Sequence, residues 1–380
     1  MKLLDDILVL DFSQFLSGPS ASLRLADMGA RVIKIERPGS GDICRTLYVS
    51  DADVDGESTI FHAINRNKES FVADLKNEHD LIKIKKLVTK ADIIIHNFRP
   101  GVMERIGLSY NDVKVIKPSI IYGEISGYGY EGEWKDRPGQ DLLLQSVSGL
   151  AWLSGNKSDG PMPMGVAVAD ILSSTHLVQG LLAAYFSYLH TGEGALVQVS
   201  MLESLIDFQF EALTSYYNDG KQLPQRSDVN NAHAYIAAPY GIYRTADGLL
   251  SIAMCSIPKL GNLLNCTELL RFTNTEEWYI LRDEIKTILK KHLLLKTTKE
   301  WLKILEPADI WCSQVFHYDE LIEHDAYKAI QMEQELILAN GKLKTTRCPI
   351  RVDGEILFSC ISAPKLGQHT LSIEKEFTLV

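Results

Sequence analysis

Most of the short signatures that announce a chemistry are missing from this chain. Its six cysteines (Cys44, Cys255, Cys266, Cys312, Cys348 and Cys360) lie far apart, with no Cys-x-x-Cys spacing and no histidine pair beside them. That excludes a zinc ribbon and offers no disulfide framework, so they read as reduced packing residues and no metal is expected. No apolar run reaches the roughly 18 to 20 residues of a membrane-spanning helix. The best, Leu177 to Leu189, is broken by Gln179, Gly180 and Ser187. The opening Met1-Lys2-Leu3-Leu4-Asp5-Asp6 turns acidic where a signal peptide would turn apolar, so a cytoplasmic location is expected. Basic charge is also short. With 39 Lys and Arg against 49 Asp and Glu, the net charge is -10, which argues against a nucleic-acid partner. Any anionic ligand must be held by a local cluster of cations. After the first strand the loop reads Ser13-Gln14-Phe15-Leu16-Ser17-Gly18-Pro19 instead of Gly-x-Gly-x-x-Gly. The chain also lacks a Gly-x-x-x-x-Gly-Lys-Ser/Thr loop, a His-Glu-x-x-His helix and a Gly-x-Ser-x-Gly elbow, so the common nucleotide, metal and hydrolase readings lose weight together.

What is present is an alternation. Ile7 to Phe12, Arg31 to Ile35, Ser70 to Asp74, Ala91 to His96 and Ser119 to Ile125 read as strands, separated by helical patterns over Ala21 to Met28, up to Lys90, and around Tyr110 to Ile116. Strands alternating with helices predict a doubly wound parallel sheet, an α/β fold whose ligands bind at the carboxyl ends of the strands. A long helix is expected from Asp170 to His190, stopped by Thr191-Gly192-Glu193-Gly194, and another after Ser200. The polar, Asn-rich stretch Tyr217 to Ala234 reads as a linker. Beyond it, Tyr240 to Arg244 and Leu249 to Met254 form a strand pair that opens a smaller α+β domain with helices over Glu276 to His292 and Thr298 to Leu305.

Two local features carry chemistry. Gln14 follows the first strand, Arg37 the second, and Asn97-Phe98-Arg99 with Arg105 follow the strand ending at His96. In a parallel sheet these loops share one rim, where separate cations can converge on an anion and Phe98 offers a flat apolar face. The alternative is that Arg37, Arg99 and Arg105 are solvated surface charges. The second feature is Asp170, which ends Gly165-Val166-Ala167-Val168-Ala169-Asp170 at the start of the long helix. There it would accept hydrogen bonds from the free amides of the first turn and stay ionised, either as a helix cap alone or as a reactive carboxylate.

Longer blocks carry a resemblance. They are Leu23 to Asp42 (LRLADMGARVIKIERPGSGD), Asn65-Arg66-Asn67-Lys68, Asn97-Phe98-Arg99-Pro100-Gly101, Ser126-Gly127-Tyr128-Gly129 and Leu366-Gly367-Gln368-His369-Thr370. In this order they resemble the family III CoA-transferases, among them formyl-CoA transferase and carnitine CoA-transferase, over essentially the whole chain. The resemblance implies a large Rossmann-like domain over 1–205, a small α+β domain over 225–325, and a C-terminal segment over 330–380 that returns to the large domain. It also implies a homodimer of subunits threaded through each other as interlocked rings. Asp170 matches the family's nucleophile, and the CoA contacts fall on Gln14, Phe15, Arg37, the segment Ala73 to Lys76, Asn97, Phe98, Arg99 and Arg105. The implied substrates are an acyl-CoA and a small carboxylic acid, possible dicarboxylates such as oxalate or succinate among them, with no tightly bound cofactor.

Two departures bear on the activity. The formyl-CoA transferase branch carries a glycine-rich loop where this chain reads Asn230-Asn231-Ala232-His233-Ala234, so formyl-CoA and oxalate are not assured. The α-methylacyl-CoA racemases of the same fold carry a His before an Asp where this chain has Gln140-Asp141, and Gln140 cannot act as a base. A CoA-binding protein without catalysis is a third reading. It would keep the rim residues and have no need of Asp170.

Overall fold

A computed structural model of the chain describes residues 3–49, 51–359 and 361–379. Cys360 lies outside the described residues, and the other five cysteines are free thiols. The chain divides into two compact units: residues 1–144, 167–205 and 328–380 form the first, and residues 145–166 and 206–327 the second. Among the described residues no helix is long and apolar enough to cross a membrane.

The first unit is built on six parallel strands: β1 (Leu8–Asp11), β2 (Arg31–Glu36), β3 (Lys68–Val72), β4 (Ile93–His96), β5 (Ile121–Ser126) and β6 (Ala195–Ser200). Their order across the sheet is β3-β2-β1-β4-β5-β6, with β1 paired to both β2 and β4. The fold class is therefore the expected doubly wound α/β sheet. Strands β1 and β4 at the centre of the sheet are apolar up to their last residue, as expected where helices cover both faces of a parallel sheet. Leu10, Phe12, Ile33, Phe71, Ile94 and Tyr122 meet Ile84, Leu87 and Val88 of helix α2 (Glu78–Val88) and Val113 of helix α3 (Tyr110–Ile116) in one buried core. Asn77 caps that helix through the N–H groups of His79 and Asp80, with acidic residues in its first turn and lysines in its last.

Helix α1 (Ser17–Asp27) begins earlier than its apolar pattern suggests, because Ser17-Gly18-Pro19, read from sequence as a turn, is its first turn. Proline is tolerated there, where no intrahelical N–H bond exists to lose. The long helix α5 (Val168–Thr191) lies tight on the sheet. A Cβ on Gly123 of β5 would stand 2.9 Å from Leu181 Cδ2. The outer edge of β3 is covered by the chain's tail: Ser70 donates its N–H to His369 Nδ1 at 3.2 Å and Val72 to Thr370 Oγ1 at 3.0 Å. The Gly367-Gln368-His369-Thr370 block thus closes an open sheet edge.

The second unit holds a three-stranded antiparallel sheet, Gly241–Arg244, Leu249–Ile252 and Cys312–Gln314, packed on helices over Ile257–Leu264, Arg282–His292 and Thr298–Leu305. Two sequence expectations differ here. Residues 145–166, placed by sequence in the large domain, belong to this unit because its polar groups hold them: Arg226 Nη1 donates to the carbonyls of Ser154 and Gly160 at 2.6 Å, and Asn231 N–H donates to Asn156 Oδ1 at 3.0 Å. The stretch Tyr217 to Ala234 is accordingly no simple linker, since Arg226 and Ser227 are buried in it and the helix Phe210–Asn218 runs into it.

Candidate active site

The loop after β1 is the most heavily braced backbone at the carboxyl rim of the sheet. Asn97, just past β4, forms a two-point amide pair with the peptide group of Gln14: its Oδ1 accepts the Gln14 N–H at 2.8 Å and its Nδ2 donates to the Gln14 carbonyl at 2.6 Å. The same Nδ2 lies 3.2 Å from Ser17 Oγ. Lys34 Nζ donates to the Ser13 carbonyl at 2.8 Å, and Asp42 Oδ1 accepts the Phe15 N–H at 3.1 Å. These bonds hold Phe15 at φ 63°, a left-handed conformation that costs a non-glycine residue on the order of 1 kcal/mol or more. Phe15 is 48% exposed despite this bracing.

Beneath the loop lies a charge network fully sealed from water. Lys68 Nζ reaches Asp11 at 3.1 Å, the Pro19 carbonyl at 2.9 Å and Asn65 Oδ1 at 2.9 Å, and Lys34 pairs with Asp42 at 2.8 Å. Glu36 receives Arg45 at 2.7 Å and the Ser70 hydroxyl at 2.6 Å. Burial works against the Asp11 charge, yet Lys68, Lys34 and two serine hydroxyls hold its carboxyl well below the usual range. Burial pushes the Lys68 ammonium down to about 8.

Asp170 is the third residue of α5 and half-buried. It does not cap its own helix, contrary to the sequence reading. The Ala169 N–H is taken by Asp141 Oδ1 at 2.6 Å, so the carboxylate at the start of helix α4 (Asp141–Val147) caps α5. Its carboxyl lies near Ser17, the first residue of α1, whose polar groups favour its charged form. Burial first, and the nearby Asp141 charge second, push its carboxyl up to about 6, against the downward pull of Ser17. The direction is opposite to the sequence expectation. The carboxylate is still mainly ionised at neutral pH, but only narrowly held so. Asp141 is positioned by backbone: Gly127, after β5, and Gly139 touch face to face, and a Cβ on Gly127 would stand 2.7 Å from Gly139 Cα.

Of the other residues singled out from sequence, Arg37 follows β2, Ala73 and Lys76 follow β3, and Phe98, Arg99 and Arg105 follow β4, all on this rim. Arg37, Lys76, Arg99 and Arg105 are exposed, and among the described residues none of their charged groups makes an ion pair. Ala73 is buried and offers backbone only. Phe98 stacks on His96 with ring centroids 6.0 Å apart. Among the described residues no group of three or more His, Cys, Asp or Glu is arranged to hold a metal ion. Sequence reasoning missed Ser17 and the role of Asp141. The signal for the latter was its place beside Gln140, read only for what Gln140 lacks.

The chain as a whole has relatives among known proteins. The model of CoA-transferase family III matches residues 4–370. The chain belongs to that family. An acetyl-CoA:oxalate CoA-transferase of Acetobacter aceti is 30% identical over 383 residues, covering 98% of this chain and 95% of its own. A succinate–glutarate CoA-transferase of Agrobacterium fabrum is 30% identical over 391 residues, covering 99% and 96%. Among solved structures, a CAIB/BAIF family protein from Brucella suis superposes with a TM-score of 0.85 at 29% identity, covering 98% of each chain.

Proposed function

We propose that this CoA-transferase moves CoA from an acyl-CoA donor to a free carboxylic acid through a covalent intermediate on Asp170. The observation that carries this is the Asp170 carboxylate itself, half-buried, raised to about 6 beside Asp141, and set at the rim where Arg37, Arg99 and Arg105 stand unpaired. Partial desolvation makes an ionised carboxylate a better nucleophile than one in water. Its oxygen attacks the thioester carbonyl and CoA thiolate leaves, giving a mixed anhydride. The thiolate then attacks the aspartyl carbonyl, which releases the donor acid and leaves an aspartyl-CoA thioester. The acceptor acid repeats both steps in reverse and restores the carboxylate. Acyl activation is conserved throughout, so no nucleoside triphosphate is consumed.

The rim cations bind the phosphates of CoA, and Phe15 and Phe98 give its adenine and pantetheine apolar surface. Holding the nucleotide end makes the return of the thiolate effectively intramolecular, worth several kcal/mol when the geometry is right. Small dicarboxylates are the acids this reading favours, by similarity to the oxalate and glutarate enzymes above. The same reading pairs two subunits as interlocked rings, and the exposed apolar side chains Phe208, Phe210, Tyr217 and Leu223 of the second unit support a covering partner. Racemisation is disfavoured because Gln140 supplies no base.

The test is direct. Incubation with an acyl-CoA that supports turnover, without acceptor, yields protein heavier by CoA minus water, with the adduct on the peptide containing Asp170. Asp170→Ala loses the adduct and at least three orders of magnitude of turnover while remaining folded, since the half-buried carboxylate it removes makes no ion pair among the described residues. An unmodified intact mass in the wild type, or more than a few per cent of turnover in the mutant, overturns the assignment.

A further inference from the structure

We infer that His96 is a positioning residue for the CoA-facing ring of Phe98, which it holds through an unprotonated Nδ1. The inference rests on the reading of Phe98 as a surface for CoA. It starts from strand register. His96 stands opposite Glu124 across β4 and β5, and Glu124 opposite Gln198 across β5 and β6, so the three side chains share one face of the sheet. They form a polar ladder there: His96 Nε2 lies 3.2 Å from Glu124 Oε2, and Gln198 Nε2 donates to Glu124 Oε1 at 2.6 Å. His96 and Glu124 are both buried.

The tautomer of His96 follows from its partners. The Phe98 N–H can only donate, so His96 Nδ1, 3.3 Å away, accepts and carries no proton. The ring's hydrogen is then on Nε2 and goes to Glu124, whose carboxylate only accepts. Burial works against the Glu124 charge, but the bonds from His96 and Gln198 hold its carboxyl below the usual range. Two rings fix the imidazole further. Tyr122 meets it edge-on with centroids 5.4 Å apart, and Phe98 stacks on it at 6.0 Å with the planes 21° apart. A neutral imidazole thus joins the sheet to the backbone of the turn after β4. The polar atoms of Asn97 are likewise taken, by the Gln14 peptide group and Ser17 Oγ. What this turn offers CoA is the half-buried ring of Phe98 and the exposed charge of Arg99.

Two substitutions separate the two ends of the imidazole. The shorter amide of His96→Asn reaches the place of Nδ1 and still accepts the Phe98 N–H, as asparagine does two residues on in turns, but it loses Glu124. The longer amide of His96→Gln reaches the place of Nε2, keeps a donor for Glu124 and loses the Phe98 N–H. Calorimetry with free CoA should give His96→Asn a Kd within about twofold of wild type and His96→Gln one about five- to tenfold weaker, with kcat at saturating acyl-CoA within about twofold in both. Thermal unfolding should rank the two the other way, because His96→Asn leaves the buried Glu124 short of a donor. In a Phe98→Ala background, itself about tenfold weaker for CoA, His96→Gln should add no further loss. Should His96→Asn fail to fold, His96→Gln with and without Phe98→Ala still decides. A merely structural histidine would weaken CoA binding in step with stability and equally in both backgrounds, and either result overturns the inference, as does wild-type affinity in His96→Gln. Wild-type affinity in Phe98→Ala overturns the reading of Phe98 itself.

Discussion

The cations at the carboxyl rim fall into two sets that the fold treats in opposite ways. Lys34, Lys68 and Arg45 are buried, each within 3.1 Å of a carboxylate, and their role ends inside the molecule. Arg37, Arg99 and Arg105 are exposed, with no carboxylate partner among the described residues. The first set fixes the backbone of the loop that carries Gln14 and Ser17, and the second is left free for a polyanion. Charge count does not separate them. What separates them is position and partners: Lys34 and Lys68 lie within β2 and β3 and Arg45 turns back onto Glu36, whereas Arg37 and Arg99 lie one and three residues past a strand end.

The sharpest way to break this comparison is to orphan the buried set. Asp11→Ala leaves Lys68 without its carboxylate in a fully buried site, and unpaired buried charges cost about 3 to 5 kcal/mol. Urea unfolding should show a loss of that size. A loss under about 1 kcal/mol would mean that water or another carboxylate takes over.

Asp170 stands between the two sets, partly buried yet without a cation of its own, and its effect on stability should carry the opposite sign. Its carboxyl is raised to about 6 in the folded chain from an ordinary value of 3.8. Between those pH values the folded state binds more protons than the unfolded one, so stability falls as pH rises through the window. The penalty is fully present above about pH 6 and absent below about pH 4. Asp170→Asn, which escapes it, should be more stable than wild type by roughly 2 to 3 kcal/mol at pH 8, with the gap closed at pH 4. Equal unfolding midpoints across that range would remove the strain assigned to this carboxylate.

The exposed set should barely register in unfolding. Arg37→Ala and Arg105→Ala should each change stability by no more than about 0.5 kcal/mol, yet raise the Michaelis constant for acyl-CoA about 10- to 100-fold and leave that for the acid nearly unchanged. Unchanged CoA affinity by calorimetry in both variants would return these arginines to the solvated surface.

Much of this was legible in the sequence, and the exceptions have physical causes. The apolar runs of β1, β2 and β4 predict their own strands, and parallel alternation places their loops on one rim. Strand β6 escaped notice because its exposed positions alternate with partly buried ones and it is hemmed between Gly194 and a helix at Met201. Gly18 and Pro19 hid the start of α1, since both usually punctuate turns. The hydrogen bond that brings Asp141 beside Asp170 runs to the Ala169 N–H across 28 residues, which no local pattern encodes.

The contact of Gly127 with Gly139 has a further bearing on how such a site tolerates change. Where the two backbones cross, only hydrogen atoms separate them, and through Asp141 that crossing gauges how near one carboxylate comes to the other. A single methyl group on either glycine would be spent as displacement of the acidic pair. Two positions with no functional group are thus as tightly specified as the reacting carboxylate, and a survey of variants that scored residues by their chemistry alone would overlook them.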